Sequence, residues 1–225
     1  MGVAAKPRRP AKTRARLRKR AAPVAREPVR RAFDIAGALV LLVLLLPVLL
    51  LAAAAVALSG RPIFFGHERL GRNGTRFRCW KLRTMHPDAE HWLDEHPQLR
   101  AIYERNGFKI RGNEDPRITL IGRWLRRTYV DELPQLFNVL GGSMSLIGPR
   151  PIVDGELQQY GRHADDLLRV KPGVFGAWTS LGRRRPPYPQ RARLELAYAR
   201  SRRSIARDLR ILLRSVPAVL TGQSE

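Results

Sequence analysis

Two adjacent carboxylates, Asp131 and Glu132, open the run DELPQLFNVLGG, with Arg126 and Arg127 just before them and Arg150 beyond, inside a Pro-Arg-Pro turn. With Asp131 as a helix N-cap, Glu132 is the first helical residue and Pro134 falls in the first turn, where its missing N–H costs little. Free amides and the positive end of the helix dipole then point at the same place as the two acids. An ordinary carboxylate is ionised at neutral pH and can serve as a nucleophile or a metal ligand. Adjacent carboxylates repel, and Mg2+ or nearby guanidinium groups relieve that repulsion. Such a set suits phosphoryl chemistry: one carboxylate attacks phosphorus to give an acyl phosphate, while cations neutralise the oxygens of the transferring group. Acids at helix starts are commonplace, so the pair alone decides little.

Further candidates for phosphate contact are Arg150 in GPRP, Arg117 in DPR, Lys81 and Arg83 on one face of an expected strand, and Arg126 with Arg127. Each has a plain alternative as a turn brace or a solvated face, and Glu68 with Arg69 reads more simply as a structural pair. In DAEHWLDEH, His91 and His96 are five residues apart, roughly 140° around a helix, so they do not converge on a metal. No GxGxxG after a strand, P-loop, HExxH or CxxC occurs.

The elements that must hold these groups are legible in outline. Residues 1–32 form a low-complexity basic tail, expected to be disordered because it has too little apolar surface to offset its ordering entropy. Ile35 to Leu58 follows without one polar side chain; as a straight helix it is about 36 Å long, against a hydrocarbon core of about 30 Å. Basic residues crowd both flanks, which a single span cannot reconcile with a preference for positive charge on one side. Pro47 lies at the midpoint and favours a kink. Residues 33–60 therefore read as a bent, re-entrant membrane helix or as an ordinary kinked span. From 61 to 225 the chain reads as a soluble α/β domain, mixed and helix-rich. Strands are expected at PIFF (62–65) and FRCWKLRT (77–84), either side of the turn LGRNGT. Helices are expected over 88–105, broken at Pro97, over Thr119 to Arg127, and over Leu133 to Leu140. In RSIARDLRILLRSVPAVL, Ile205, Leu209, Leu212, Leu213, Val216 and Leu220 share one face and Arg203, Arg207, Arg210 and Arg214 the other. That helix lies in a membrane interface or packs on the domain with a solvated basic face.

The formal net charge of +23 and pI near 11.6 call for an anionic partner: nucleic acid, an anionic membrane surface or phosphorylated ligands. The single cysteine, Cys79, excludes an intramolecular disulfide and suits a reducing cytosol. A membrane-anchored nucleic-acid-binding or scaffold protein explains the charge but leaves the acidic pair and the Pro-Arg-Pro turn without a task.

Several blocks in one order, HERLGRNGTRF (67–77), KLRTM (81–85), DPRITLIGRWLRRT (115–128), DELPQLFNVLGGSMSLIGPRP (131–151), VKPGVFG (170–176) and DLRILLRSV (208–216), follow the proline-broken apolar segment. In these the chain resembles the bacterial sugar transferases, monotopic polyprenol-phosphate phosphoglycosyl transferases, in their minimal form. The resemblance implies transfer of a sugar phosphate from a nucleoside diphosphate sugar, usually a UDP-sugar, to polyprenol (undecaprenyl) phosphate, with release of UMP and the start of a lipid-linked glycan. It implies Asp131 as nucleophile of a covalent phospho-sugar intermediate, and Glu132 as its helper in holding Mg2+ or orienting the lipid phosphate. It favours the re-entrant topology, with the catalytic domain on the cytoplasmic face of the inner membrane among anionic lipids, where the basic amphipathic pattern sets the C-terminal helix in the interface. A homodimer fits this picture and nucleic acid has no part in it. His67, Leu82, TSLGR (179–183) and Glu195 depart from the family's usual residues, which bears on the donor more than on the reaction.

Overall fold

A computed structural model of the chain describes residues 27–89, 91–105, 110, 114–179, 187–201 and 204–220. The basic tail falls outside these as far as residue 26. Residues 27–32 are already helical, forming the first turns of α1, Glu27–Leu58, which runs on through Pro47. The helix starts before its apolar run because Arg30 and Arg31 find acceptors on the domain. Arg31 donates to the carbonyls of Val139 and Leu140. Arg30 pairs with Asp208 at 2.6 Å and donates to Tyr198 at 2.8 Å.

The most apolar window of α1 has a mean hydropathy of 3.1 and only 17% of it is buried, so this is no core helix of a soluble fold. It is long and apolar enough to cross a membrane. Both of its ends are nevertheless docked on the same domain. Near the start, Asp34 is buried and accepts from the Ser145 hydroxyl and the Leu146 amide, and Ala38 joins a core with Leu136, Val139, Met144 and Leu146. Near the end, Leu49, Ala52 and Val56 pack on Leu82 and Leu125. Between these docking points Leu39, Val40, Val43, Leu44, Leu50 and Leu51 are exposed.

The soluble part begins with an antiparallel hairpin, β1 (Phe64–Leu70) and β2 (Arg76–Leu82), in the register Phe65↔Lys81, His67↔Cys79 and Arg69↔Phe77. Asn73, at φ 58°, turns the chain between them. Two short helices follow, α2 (His91–Glu95) and α3 (Pro97–Arg105), separated at His96 with Pro97 opening the second. His91 pairs with Asp94 and Glu95 in the open, while His96 stacks on Trp92, so the two histidines do not meet. Helix α4, Leu120–Thr128, is capped by Thr119, whose hydroxyl accepts from Gly122 N–H. Helix α5 spans Gln135–Leu140, strand β3 Ser145–Ile147, and helix α6 Ala164–Leu167. Strand β4, Gly173–Phe175, pairs in parallel with β3. Helices α7 (Gln190–Arg200) and α8 (Ile205–Leu220) complete the described chain. The architecture is mixed α/β and helix-rich, with two two-stranded sheets among the described residues.

Helix α8 is used on two sides. Asp208 and Ser215 are buried, and Ile211 and Leu212 pack on the core beside α1, so Leu212 leaves the apolar stripe expected for it. Ile205, Leu209 and Leu213 remain exposed. Val216 and Leu220 lie beyond the described side chains, and Arg203 outside the described residues.

Arg83 is 6% exposed, and its guanidinium donates to the carbonyls of Val56, Gly60, Pro62 and Met85. It therefore caps the C-terminal end of α1, where backbone acceptors lack helical partners. Because β2 ends at Leu82, the alternation that puts Lys81 on one face does not extend to Arg83. Hydrogen bonds to charged groups contribute about 1.5–3 kcal/mol, so Arg83→Leu is expected to cost the fold about 3 kcal/mol or more. Thermal unfolding of the detergent-solubilised chain would show it, and Lys is not expected to rescue, since one ammonium cannot reach acceptors spread over that span.

Candidate active site

The acidic pair lies one turn before α5, not at its N-cap. Tyr129 adopts the left-handed conformation (φ 58°, ψ 10°) and leads into a single 3-10 turn, Val130–Glu132. A bulky residue there is strained, and the sharp reversal brings both carboxylates toward the hairpin. Pro134 occupies the position before α5, so the amide expected to point at the acids is missing from that step.

Four elements set the surroundings. Asn138 on α5 accepts from the Trp80 amide at 2.9 Å and donates to the Arg78 carbonyl at 2.8 Å, clamping α5 to the edge of β2. That fixes Lys81 opposite the pair: its ammonium donates to Glu132 Oε1 at 2.6 Å and lies 3.8 Å from Asp131 Oδ2. Arg126 comes from α4, which seats so closely that a Cβ on Gly122 would fall 2.0 Å from Thr84 O. Its Nε donates to the Thr84 hydroxyl at 2.8 Å, and its charge acts on Asp131. Arg150 follows β3 on a stretch whose glycines allow backbone-to-backbone packing: Gly148 N–H donates to Phe175 O at 2.9 Å and Gly173 N–H to Pro149 O at 2.8 Å. A Cβ on Gly173 would lie 2.0 Å from Gly148 N. The Arg150 guanidinium stands 5.2 Å over the Trp178 ring, half-buried, and forms no ion pair among the described residues.

The electrostatics separate the two acids. Burial pushes Asp131 up to about 6, with Glu132 adding to the rise while Lys81 and Arg126 oppose it. Burial also disfavours ionised Glu132, yet Lys81, Arg150 and Arg69 outweigh it and hold that carboxyl below its usual range. Near pH 7 both are ionised, Asp131 as the more basic and hence the better nucleophile. Protonation disables a carboxylate nucleophile, so kcat/KM, which reports the free enzyme, is expected to fall as pH drops through about 6. Lys81→Gln removes a charge that favours the ionised form, so the acidic limb should move to higher pH. A profile flat from pH 5 to 8 would contradict this assignment.

Of the residues singled out above, the structure brings Asp131, Glu132, Lys81, Arg126 and Arg150 together. Arg127 is exposed on the other side of α4. Arg117 is buried in a two-pronged pair with Asp115, at 2.8 Å for each prong, and lies 5.0 Å from the Tyr103 ring centre. It shapes the DPR turn rather than facing the acids. Arg69 belongs to the site, although its neighbour Glu68 suggested a pair. Glu68 instead binds Arg76 at 2.7 Å, while Arg69 lies on the opposite strand face, 3.5 Å from Glu156. Burial and the nearby Arg150 lower the Arg69 pKa, so two like charges are held close together. Strand alternation was the available signal, since Phe65, His67 and Arg69 share the face that pairs with Lys81. Cys79 is buried with its thiol pushed up to about 11, and is inert. Glu195 is buried beside Tyr160 and Arg191, and TSLGR lies outside the described residues beyond Thr179.

Among the described residues no group of three or more His, Cys, Asp or Glu is placed to hold a metal. The pair alone suits Mg2+, which binds through one or two carboxylates plus substrate phosphates. The Lys81 ammonium already stands against both carboxylates, hydrogen-bonded to Glu132 and 3.8 Å from Asp131.

The fold and the site together present a helix long and apolar enough to cross a membrane, docked on an α/β domain that carries an acidic pair ringed by arginine and lysine. A profile described as bacterial sugar transferase matches residues 25–222, and the chain belongs to that family. It is 39% identical over 196 residues to the undecaprenyl-phosphate galactose phosphotransferase of Salmonella typhimurium, covering 85% of this chain and 40% of that protein. It is 39% identical over 192 residues to the exopolysaccharide production protein ExoY of Rhizobium meliloti, covering 84% of each. Against the UDP-glucose:undecaprenyl-phosphate glucose-1-phosphate transferase of Caulobacter vibrioides it is 36% identical over 201 residues, 85% of this chain and 70% of that one. The chain thus spans about two fifths of the length of several relatives, among them the Salmonella protein.

Proposed function

We propose that the chain transfers a sugar phosphate from a UDP-sugar to undecaprenyl phosphate and so starts a lipid-linked glycan such as an exopolysaccharide. The observation that carries this reading is the buried Asp131 beside Glu132, faced by Lys81, Arg126, Arg69 and Arg150, close to a helix with a lipid-ready surface. The names borne by the relatives support the substrate classes.

In this mechanism an Asp131 oxygen attacks the phosphorus that carries the sugar. The bond from that phosphorus to the bridging oxygen breaks, and UMP leaves with the electron pair. A phosphate oxygen of the lipid then attacks the same phosphorus. The acyl–oxygen bond to phosphorus breaks, Asp131 returns as a carboxylate, and the sugar is left on a lipid diphosphate. Arg150, stiffened by its flanking prolines and the Trp178 face, holds oxygens of the transferring phosphate two at a time. Lys81 and Arg126 keep Asp131 ionised until it attacks. Mg2+ bound by Asp131 and Glu132 would supply charge neutralisation on the diphosphate. Excess EDTA is therefore expected to stop turnover and added Mg2+ to restore it; full activity in EDTA would remove the metal from the account.

Because both ends of α1 dock on one body, we infer that the helix enters and leaves the same leaflet, with Leu39 to Leu51 immersed and the domain on the cytoplasmic face. The exposed Ile205, Leu209 and Leu213 of α8 would lie in the interface, with Arg210 and Arg214 near lipid phosphates. There the site meets a soluble donor and a lipid whose phosphate lies at the surface. A scaffold that uses only its charge has no need of a buried acid pair.

The test is to incubate membranes containing the protein with a panel of UDP-sugars. Sustained UMP release that requires undecaprenyl phosphate and yields a lipid diphosphosugar is expected for one donor. The relatives' names include both galactose and glucose, and both belong in the panel. No lipid-linked product from any donor would overturn the reading.

A further inference from the structure

Strand β1 sets a neutral polar group among the cations of the site. Phe65, His67 and Arg69 share a face of the hairpin with Lys81, Cys79 and Phe77 across the ladder. His67 stands opposite Cys79, with Lys81 on the diagonal, a separation of about 7–8 Å in an antiparallel pair. Lys81 reaches both acids, and Arg69, on the other side of His67, acts on Glu132 through space. Along its own face, His67 is thus flanked by two of the cations that ring the acidic pair.

The ring's tautomer is set by its neighbour. Its Nδ1 lies 3.0 Å from the Glu68 carbonyl oxygen, which can only accept, so Nδ1 carries the proton. Burial, helped by Arg69 and Lys81, holds the imidazole below its usual pKa and disfavours a second proton. Nε2 is left as an acceptor. A lone pair there repels phosphate oxygens and accepts from a hydroxyl or an N–H group. Beside it stands Phe65, 48% exposed and edge-on to the imidazole, with ring centroids 6.1 Å apart. Phe65 is also the direct cross-strand partner of Lys81. An open aromatic face, negative at its centre, suits the polarised C–H bonds on one side of a pyranose ring.

We propose that His67 and Phe65 seat the transferred sugar, His67 Nε2 accepting from one of its hydroxyls and Phe65 packing on its C–H face, so that His67 helps to choose the donor. The proposal rests on the function argued above and adds the residues that read the sugar. The sugar hangs from the phosphorus that Asp131 attacks, and the cations hold the oxygens of that phosphate. A neutral seat on the same strand face as Lys81 is where the sugar then falls. The nucleoside lies one phosphate further from this phosphorus, out of reach of the same two side chains. A site that hydrogen-bonds a substrate hydroxyl discriminates against the analogue that lacks it, because its own acceptor is then left unpaired.

The test is a cycle of His67 variants against deoxy donors, built on the UDP-sugar that the panel selects. His67→Leu is expected to lower kcat/KM for that donor about tenfold or more, and His67→Gln, which returns an acceptor oxygen, to recover most of the loss. Among analogues that each lack one sugar hydroxyl, one should cost the wild type about tenfold or more and cost His67→Leu almost nothing further. The inhibition constant of UDP, which carries no sugar, should stay near wild type in His67→Leu, and that binding also shows the variant folded. His67→Ala is carried through the same cycle, so that the acceptor is still removed if leucine does not fit. Phe65→Ala should raise the KM for the donor and likewise leave UDP inhibition unchanged. Losses that simply add for every deoxy analogue overturn the sugar contact, and so does a wild-type kcat/KM in His67→Leu. A UDP inhibition constant that rises as much as the donor KM overturns it too, by moving the contact to the nucleoside. A wild type that makes no lipid-linked product from any UDP-sugar overturns the parent reading instead, which keeps the two failures apart.

Discussion

Asp131→Asn is expected to bring turnover below about a thousandth of the wild-type rate, the scale of losses seen when a nucleophile is removed. An amide of nearly the same shape cannot attack phosphorus, and no neighbouring group can take its place: Glu132 is tied to Lys81 at 2.6 Å and Cys79 is buried with its thiol protonated. The loss should not come from misfolding. Burial raises the folded-state pKa of Asp131 to about 6, above its unfolded value. The folded protein thus holds the proton more tightly, and stability conferred by the protonated form is lost as pH rises toward 6. A neutral amide avoids that loss, so the variant should unfold at the same or a higher temperature than wild type at pH 7. Asp131→Glu should recover little, because a displacement of about 1 Å at a reacting atom can cost a hundredfold. Near-normal rates in Asp131→Asn would remove the covalent step.

Arg150→Ala is expected to lower kcat/KM for the donor by about a hundredfold or more, in the range reported for groups that stabilise developing charge. Arg150 acts on Glu132 only through space and forms no direct ion pair among the described residues, while Trp178 and two prolines hold its guanidinium in place. An arginine so restrained and so lightly paired is available to an anionic ligand. Arg150→Lys should rescue only weakly, since an ammonium cannot bind two oxygens in a planar fork or stack as well on the indole. Arg127→Ala, on the exposed face of α4, should leave donor kinetics near wild type and serves as the control. If Arg150→Ala changed only stability and left kcat/KM untouched, the residue would be a brace for its turn.

Much of this arrangement was legible in the residues. The hairpin followed from strand-like runs either side of the turn LGRNGT, although β1 begins only at Phe64 and runs on to Leu70 where PIFF alone was expected. Helix α4 was expected over Thr119 to Arg127. The long apolar helix followed from an unbroken apolar run from Ile35 to Leu58. The acid pair was visible as a pair, Arg126 and Arg150 by proximity in sequence, and Lys81 from its place on an expected strand. What could not be read depended on contacts across the chain. Arg83 continued the apparent face of Lys81, but the strand stops one residue earlier and the end of α1 needs a cap. Arg117 and Asp115 satisfy each other within one turn, which sequence spacing cannot separate from an arginine reaching outward. Arg69 was hidden by the acid next to it, although residues adjacent along a strand point to opposite faces. The early start of α1 depended on acceptors supplied by Tyr198, Asp208 and the end of α5, none of them near it in sequence.

Those same long-range contacts explain how the site is positioned. Asn138 substitutes for a strand partner along β2, and Gly122, Gly148 and Gly173 let backbones touch where any side chain would hold them apart. The charged groups of the candidate site are few, and their spacing is fixed by an amide and three glycines.

The most direct measurement is mass spectrometry of the Asp131 peptide after mixing the protein with a UDP-sugar in the absence of acceptor, quenched under conditions that preserve acyl phosphates. The account predicts a mass increase equal to one phosphosugar on Asp131, formed with one equivalent of UMP and discharged when undecaprenyl phosphate is added. Lipid-linked product accumulating while Asp131 never carries that adduct would contradict it.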